Sequence, residues 1–221
     1  MVDEVAALVG RRERKKQQTR AALRSAAVRL VGQRGLDAVT IEDITEAADV
    51  SPRTFSNYFA SKEDALTAPD PDRLSRLRAE LAARPAEETP LQALRAVLVA
   101  DTEALARRRD EWMRQIAVVK SDPRLMAAQA GSWLVLERDL AAGLAARPDV
   151  DDLQAQVVAA VGVAALRVAV RRWKTGSRTP LAQILGDAID ALADATGRST
   201  SGARSATKGG STIETRRKRN T

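Results

Sequence analysis

Apolar residues recur at spacings of three and four along most of the chain, which is the pattern of amphipathic α-helices. The first clear stripe lies in a helix predicted from about Thr19 to Gln33. It includes Leu23, Ala27 and Leu30, and Gly35 ends the helix. No segment shows the strict alternation of apolar and polar residues that predicts a β-strand. The pattern therefore predicts an all-α protein with about nine helices, in which a small N-terminal three-helix unit precedes a larger C-terminal helical bundle.

Prolines and glycines divide the C-terminal part of the chain into further helices, because proline removes a backbone donor and clashes with the preceding turn. Pro69 and Pro71 interrupt one helix, and residues 85–90 form a linker. Beyond the linker lie the longest apolar stripes. The helix predicted over 151–174 is striped by Leu153, Val157, Val161, Ala165 and Val168. The predicted helices in this part of the chain span about 72–83, 90–108, 110–120, 122–144, 151–174 and 179–197.

Residues 40–59, TIEDITEAADVSPRTFSNYF, predict two short helices joined by a tight turn. Thr40 is a suitable N-cap for the first of them, whose apolar face includes Ile41 and Ile44. The corner falls at Asp49, because a non-glycine residue in a left-handed turn is most often Asn or Asp. The second helix begins directly after this corner.

Ser51 and Pro52 begin the second helix as its N-cap and its first helical residue. Phe55 and Phe59 are four residues apart and are predicted to point inward, so the polar residues remain outside. Two helices across a turn of about three to four residues, the second aromatic inside and polar outside, form a helix-turn-helix pattern. The residues predicted for the core of this unit are Ile41, Ile44, Phe55, Phe59 and Leu66.

The run from Gln18 to Leu66 resembles the DNA-binding domain of the TetR family of bacterial transcriptional regulators. A first helix, the Thr40–Ala48 helix, the VSPRTF turn and recognition helix, and the NYF and SKEDAL segments follow one another in the family's order. In SKEDAL, Ser61 and Asp64 have the spacing of a capping box with Asp in place of the usual Glu. The sequence departs from the commonest pattern at Asp49, where glycine is usual.

The resemblance implies which side chains contact DNA. Thr40, Tyr58 and Lys62 correspond to phosphate contacts, and Arg53 is the best candidate for reading a base because its guanidinium can donate two bonds to guanine. Ser56 stands where many members carry an aromatic residue, which leaves its contact open. The alternative for each residue is a capping hydroxyl or a solvated charge. The residues assigned to DNA contact are Thr40, Ser51, Pro52, Arg53, Thr54, Ser56, Asn57, Tyr58 and Lys62.

The composition excludes several classes of function. Neither cysteine nor histidine occurs among the 221 residues, so disulfides, most zinc sites and the commonest general base are excluded, and we expect no metal or cofactor. A helical enzyme acting on acyl thioesters is disfavoured for the same reason. The longest apolar run, Val157–Leu166, is half of the roughly 20 residues that cross a membrane. With no secretory signal at the start, we expect a soluble bacterial cytoplasmic protein.

Charge is concentrated at the two ends of the chain. Residues 198–221 hold seven Lys or Arg and one Glu, which is +6 of the net +7, and their composition predicts disorder. A second basic cluster lies within residues 11–20. Both ends are expected to attract phosphates, although charge runs are often only solvated, and a nonspecific nucleoid-type DNA-binding protein is therefore the alternative function. The predicted divisions are a flexible basic arm (1–17), the DNA-binding domain (18–66), a ligand-binding and dimerisation domain (67–197) and a disordered tail (198–221).

The C-terminal half resembles, less specifically, a TetR subgroup related to the mycofactocin regulator and associated with acyl-coenzyme A binding. The resemblance lies in RRRDEWMRQ (107–115), SDPRLMAAQ (121–129) and DDLQAQVVAAVGVAALRVAVRRW (151–173). It implies a repressor that binds a palindromic operator in double-stranded DNA as a homodimer formed through its last two long helices. The implied small-molecule effector is apolar or acyl-CoA-like, although the pocket candidates also fit ordinary core and surface. Those candidates are Leu98, Leu105, Trp112, Ile116, Leu136 and Leu140 for the apolar part, with Arg109 and Arg172 for the anionic head.

Overall fold

The computed structural model describes the backbone of residues 2–106, 109–173 and 178–205, and the side chains of residues 11–105, 109–173 and 178–194. Within these ranges the chain is all-α and contains no strand, which confirms the predicted fold class. The helices are α1 (Val2–Arg34), α2 (Ile41–Ala47), α3 (Pro52–Ser56), α4 (Lys62–Thr67), α5 (Pro71–Ala82), α6 (Pro90–Ala106), α7 (Arg109–Ser121), α8 (Pro123–Ala145), α9 (Asp152–Arg172) and α10 (Leu181–Ser205).

The first and last helices are longer than the sequence pattern predicted. Residues 2–17, expected to form an arm, are helical and continue into α1, because no proline interrupts them and Lys16 pairs with Glu13 at 2.9 Å. The last helix continues past Gly197 and Gly202 to Ser205, since each interior glycine costs only about 1 kcal/mol. The beginning of the predicted tail is therefore helical. Residues 206–221, which include the basic run at 216–219, lie outside the described residues.

Local hydrogen bonds define the short helices of the DNA-binding unit (α1–α4). Thr40 caps α2 as predicted: its hydroxyl accepts from the Asp43 backbone N–H, and the Asp43 carboxylate accepts from the Thr40 N–H at 2.8 Å. Asp49 forms the corner at φ 53°, in the left-handed region. Ser61 caps α4 by accepting from the Asp64 N–H, but the Asp64 carboxylate accepts from the N–H of Ala60 rather than that of Ser61.

The core of the DNA-binding unit contains the aromatic and aliphatic residues predicted for it. Phe55, Phe59, Ile44 and Leu66 are buried, and Ile41 is half-buried. The same hydrophobic cluster also includes three residues from outside the unit, which are Val118 and Val119 at the end of α7 and Leu125 near the start of α8. The C-terminal domain (α5–α10), called the effector domain after the ligand-binding role that the sequence predicts for it, therefore completes the core of the DNA-binding unit.

Within the effector domain, α9 is the central helix and packs against α6, α8 and α10. It is apolar and long enough to cross a bilayer by length and composition, but one face of it is buried in the bundle. Gly162 allows α6 to approach, because a Cβ at this position would overlap the side chain of Leu94. At the junction of α5 and α8, a Cβ on Gly143 would lie 2.9 Å from the carbonyl oxygen of Arg78.

The face of α9 that is buried differs from its most apolar stripe. The buried positions are mostly small, including Ala155, Ala159 and Gly162, because neighbouring helices approach closely there. Leu153 and Val157, the first two residues of the predicted stripe, are 72% and 53% exposed in the single chain. These two side chains form an apolar surface that the rest of the described chain does not cover.

Candidate DNA-binding surface and effector cavity

The outer surface of α3 presents the polar side chains that the sequence analysis assigned to DNA contact. Arg53 and Asn57 are exposed, and they are the two long polar side chains on this surface. The three hydroxyls are involved in local hydrogen bonds: Ser51 Oγ lies 2.9 Å from Thr54 Oγ1, and Ser56 Oγ donates to the carbonyl of Pro52 at 3.3 Å. Ser51 is the N-cap and Pro52 the first helical residue, as predicted.

Aromatic packing fixes the orientation of α3. Phe55 and Phe59 are almost completely buried, and their ring centroids lie 5.7 Å apart. The guanidinium of Arg20 lies 4.6 Å from the centre of the Phe59 ring, and that of Arg24 lies 5.7 Å from it. Because its inner face is held against α1 in this way, α3 presents Arg53 in a defined direction.

The three residues predicted to contact phosphates have different surroundings. The Thr40 hydroxyl belongs to the α2 capping box and also donates to Asp43 at 2.8 Å. The hydrogen bonds from the backbone and side chain of Thr40 hold the pKa of the Asp43 carboxyl below its usual value. Tyr58 is half-buried beside α1. Lys62 Nζ donates to the carbonyls of Leu36 and Val39 at 2.7 and 3.0 Å, so it fixes the loop between α1 and α2.

Two arginines of α1 connect this helix to the end of the unit. Arg20 was predicted only as part of the N-terminal basic cluster, and no role was predicted for Arg24. Arg20 donates to the carbonyl of Tyr58 at 3.2 Å, and Arg24 donates to those of Ala65 and Ala68 at 3.1 and 2.5 Å. Burial lowers the pKa of the Arg24 guanidinium to about 10, which leaves it charged at neutral pH. Their spacing of four residues on one helix was visible in the sequence, but their burial was not.

A cavity of about 440 Å³ lies where α1 meets the effector domain. Its walls are formed by α1, the α4–α5 junction, α7, α8 and α9, and Leu105 of α6 also contributes. Its lining includes both apolar and charged side chains, a composition that suits an amphipathic small molecule. The larger apolar lining residues include Trp112, Ile116, Met126, Trp133, Leu136 and Leu166.

Four of the predicted pocket residues, Leu105, Trp112, Ile116 and Leu136, line this cavity. Leu98 and Leu140 do not, because both are fully buried in the bundle core. Arg109 lies over the ring of Trp173 at 4.8 Å rather than on the cavity wall. Arg172 is exposed at the end of α9, and the neighbouring Arg171 lines the cavity instead, since consecutive helical residues point about 100° apart.

Comparison with known proteins identifies both parts of the chain. Residues 23–68 match the bacterial regulatory proteins of the tetR family, and residues 88–197 match the MftR C-terminal domain. The transcriptional regulator TcmR of Streptomyces glaucescens is 36% identical over 181 residues, which cover 78% of this chain and 80% of TcmR. BetI of Rhizobium meliloti (strain 1021), also a transcriptional regulator, is 40% identical over 80 residues, covering 36% of this chain and 39% of BetI.

Among solved structures, a transcriptional regulator from Aquifex aeolicus VF5 superposes on 79% of this chain and 97% of its own, with a TM-score of 0.45 and 15% identity. The assignment rests on the sequence matches. The matched families and relatives are regulators, in agreement with the prediction that the chain is not an enzyme. The chain belongs to the TetR family of transcriptional regulators.

Proposed function

We propose that this regulator is a ligand-responsive repressor that binds a palindromic operator as a homodimer and is released by a small amphipathic effector. The observation that carries the proposal is the geometry of α3. Its buried face is fixed by Phe55 and Phe59, and its outer face presents Arg53 and Asn57 to solvent. A short helix held in this way is the element that helix-turn-helix proteins place in the major groove.

In this proposal Arg53 reads a base and Asn57 contacts a base or the neighbouring backbone. An arginine donating two bonds to guanine discriminates against the wrong base by about 1–3 kcal/mol. Tyr58 and Lys62 contact phosphates and set the position of α3 on the duplex. Lys62 can do so without leaving the loop carbonyls, because its ammonium has three donors and two are used by Leu36 and Val39.

A footprint on the DNA upstream of the regulator's own gene tests this part of the proposal. The expected result is one protected site with two-fold symmetry, because each subunit of the dimer contributes one α3. The Arg53→Ala variant provides the matched comparison and should protect the same site only at higher protein concentration while remaining folded. Uniform protection of the whole fragment would instead favour the nucleoid-type alternative.

The apolar surface on the last two long helices supports the homodimer. Leu153 and Val157 of α9 are the most exposed of its large apolar residues, and Leu192 of α10 is also exposed. An uncovered apolar surface on a protein of this kind marks an interaction site, and symmetric association of two copies would cover it.

Sedimentation equilibrium of paired variants tests the interface. Leu153→Arg introduces a charge into the proposed interface and should shift the protein from dimer to monomer. Leu134→Arg on α8 is the control, because Leu134 is similarly exposed at 64% but lies on a different helix. Dimeric Leu153→Arg protein, or a monomer produced by Leu134→Arg alone, would place the interface elsewhere.

The cavity between α1 and the effector domain supports control by an effector. It combines apolar residues with several basic side chains, which suits the acyl-CoA-like ligand that the resemblance of the C-terminal half implies. An effector that binds the DNA-released form more tightly shifts the population away from DNA. Displacement of the protein from its footprint by the effector would therefore be the functional readout.

A further inference from the structure

One wall of the cavity belongs to the DNA-binding unit. Gln17, Arg20, Ala21 and Arg24 line it from a single face of α1, at spacings of three and four residues. Most of the remaining lining comes from α7, α8 and α9 of the effector domain. A molecule in this cavity therefore contacts both parts of the regulator at the same time.

The charged part of the cavity wall is predominantly basic. Its cations outnumber its carboxylates, which are Asp70 and Glu111. Arg73 is already neutralised, because it forms a two-bond contact with the buried carboxylate of Asp101. The remaining basic residues on the wall are Arg20, Arg24, Lys120, Arg167 and Arg171.

Arg20 and Arg24 form no salt bridge with any carboxylate in the described part of the chain. Their hydrogen bonds go to neutral acceptors, the backbone carbonyls of Tyr58, Ala65 and Ala68. The Nε–H of Arg20 is buried and has no acceptor among the described residues. A guanidinium has five N–H donors, so these bonds leave donors on both residues for an anion.

Two adjacent guanidiniums with no carboxylate in salt-bridge contact are unfavourable in a partly buried site. Burial, followed by the positive charge of Arg20, lowers the pKa of Arg24, and the carboxylates of Asp70 and Asp64 offset this only in part. An anion between them would remove the repulsion and give charge-assisted hydrogen bonds, which are the stronger class. The site therefore has the donors and the charge for an acidic group.

We propose that the effector is an amphipathic acid whose anionic head is bound by Arg20 and Arg24 of α1, with its apolar part against Trp112, Trp133 and Leu136. This inference rests on the proposed effector-binding function and adds the residues that hold the acidic head and the contact through which the ligand acts. Because the head is held by the DNA-binding unit and the apolar part by the effector domain, occupancy directly biases the relative position of the two. The head is a carboxylate or a phosphate, since both suit paired arginines.

Titration of the full-length protein with three ten-carbon probes tests the ligand class. Decanoate supplies a carboxylate, decanoyl-coenzyme A supplies phosphates, and 1-decanol supplies the same apolar chain without charge. Binding is followed by the fluorescence of Trp112 and Trp133, which line the cavity. At least one acidic probe should bind about tenfold or more tightly than decanol, because the alcohol cannot form charge-assisted hydrogen bonds with the two guanidiniums. The acid that is preferred identifies the head group.

Variants of α1 locate the head group. Arg20→Met and Arg24→Met should each lower the affinity for the acidic probe by about tenfold or more and leave the affinity for decanol unchanged. Arg29→Met is the control, because Arg29 is exposed on the same helix and does not line the cavity. Arg24→Lys keeps the charge and should restore part of the preference for acid. An Arg24 variant could unfold because it loses its hydrogen bonds to the end of α4. In that case the Arg20→Met variant and the comparison of acid with decanol on the wild-type protein still test the proposal.

Equal binding of acid and alcohol would overturn the inference, and so would an acid preference that survives Arg20→Met and disappears in Arg167→Met. In either case, if a probe still releases the protein from DNA, the proposed function as a ligand-responsive repressor stands and only the assignment of the head group fails. If none of the three probes binds, the amphipathic-acid assignment fails, whereas the footprint tests the repressor separately.

Discussion

The DNA-binding unit and the effector domain are stabilised in different ways. In the former, α2, α3 and α4 have seven, five and six residues, and each begins at a capping side chain. In the latter, α8 and α9 have 23 and 21 residues and pack along their length on neighbouring helices. Short helices are marginal by themselves, so they depend on caps and a few buried anchors, whereas long helices depend on tertiary packing.

The two regions nevertheless share one hydrophobic cluster. Val118, Val119 and Leu125 belong to the effector domain by sequence, but they are buried in the same cluster as Phe55 and Leu66. The small unit therefore obtains part of its core from α7 and α8. A shift of these helices would be transmitted to the DNA-binding unit through direct packing.

The largest expected effect comes from removing one of these shared residues. Leu125→Ala should cost about 2–5 kcal/mol of unfolding free energy, because Leu125 is completely buried. Hydrogen exchange should show the loss of protection mainly in α1–α4. Leu140→Ala removes the same atoms from an equally buried site in the bundle core and should expose mainly α8 and its neighbours. If both variants gave the same exchange pattern, the two cores would not be distinct.

Arg53→Ala should separate DNA selectivity from stability. Because Arg53 is exposed, its loss should leave the unfolding transition and the proposed dimer unchanged. Affinity for the operator should fall by about 1–3 kcal/mol relative to unrelated DNA, which is the discrimination of one good base contact. Circular dichroism and competition binding measure the two quantities. An unfolded variant, or one with unchanged selectivity, would contradict the assigned role.

A pair of glycines on α8 tests the close packing of the effector domain. Gly143→Ala should destabilise it by about 1–3 kcal/mol, because the new Cβ meets the backbone of α5 at Arg78. Gly131 is the control on the same helix, because a Cβ there would meet no atom of another described element within 4 Å. Gly131→Ala should therefore stabilise by about 0.5–1 kcal/mol. Thermal unfolding measures both, and a neutral Gly143→Ala would mean that the α5–α8 contact is looser than described.

The smallest expected effect concerns the exposed link between the two regions. Arg124 bonds Asp37 at 2.7 Å and Asp122 at 2.8 Å, and these hydrogen bonds hold the pKa of both carboxyls below their usual values. A carboxyl with a lowered folded-state pKa stabilises above its unfolded pKa, about 3.9, and loses that contribution as pH falls through the folded value. The stability difference between wild type and Arg124→Met should therefore persist from pH 7 to about pH 4 and disappear below.

The exposed Arg114 of α7 provides the control for this pH series, since its substitution by Met should give no acid-dependent difference. High salt should reduce the Arg124 effect because the pair is at the surface. If the stability difference between wild type and Arg124→Met grew as the pH falls, it would not come from the hydrogen bonds of Arg124 to the two carboxylates.

The sequence predicted the DNA-binding unit in more detail than the effector domain for physical reasons. Thr40, Asp49 and Ser51 act through hydrogen bonds and backbone angles within a few residues of themselves, so their roles were visible locally. Which face of α9 is buried depends instead on how closely other helices approach. The pattern showed the apolar stripe beginning at Leu153, but not that the bundle would bury the small residues around Gly162.

The cavity shows the same limit. Trp112 and Leu136 were predicted to line it, but its wall from α1 was not, because Arg20 and Arg24 meet the effector domain only in three dimensions. The predicted start of α1 and the predicted end of α10 were also wrong, since a run without proline gives no local signal for where a helix begins or ends.

Competition between natural and scrambled DNA tests the central claim most directly, which is that α3 of a dimer binds a specific two-fold site. The fragment upstream of the regulator's own gene competes with a scrambled fragment of equal composition at near-physiological salt. We expect a preference of about 10³ or more for the natural fragment, reduced by about 5- to 150-fold in Arg53→Ala. Equal affinity for the two fragments in the wild-type protein would contradict the claim.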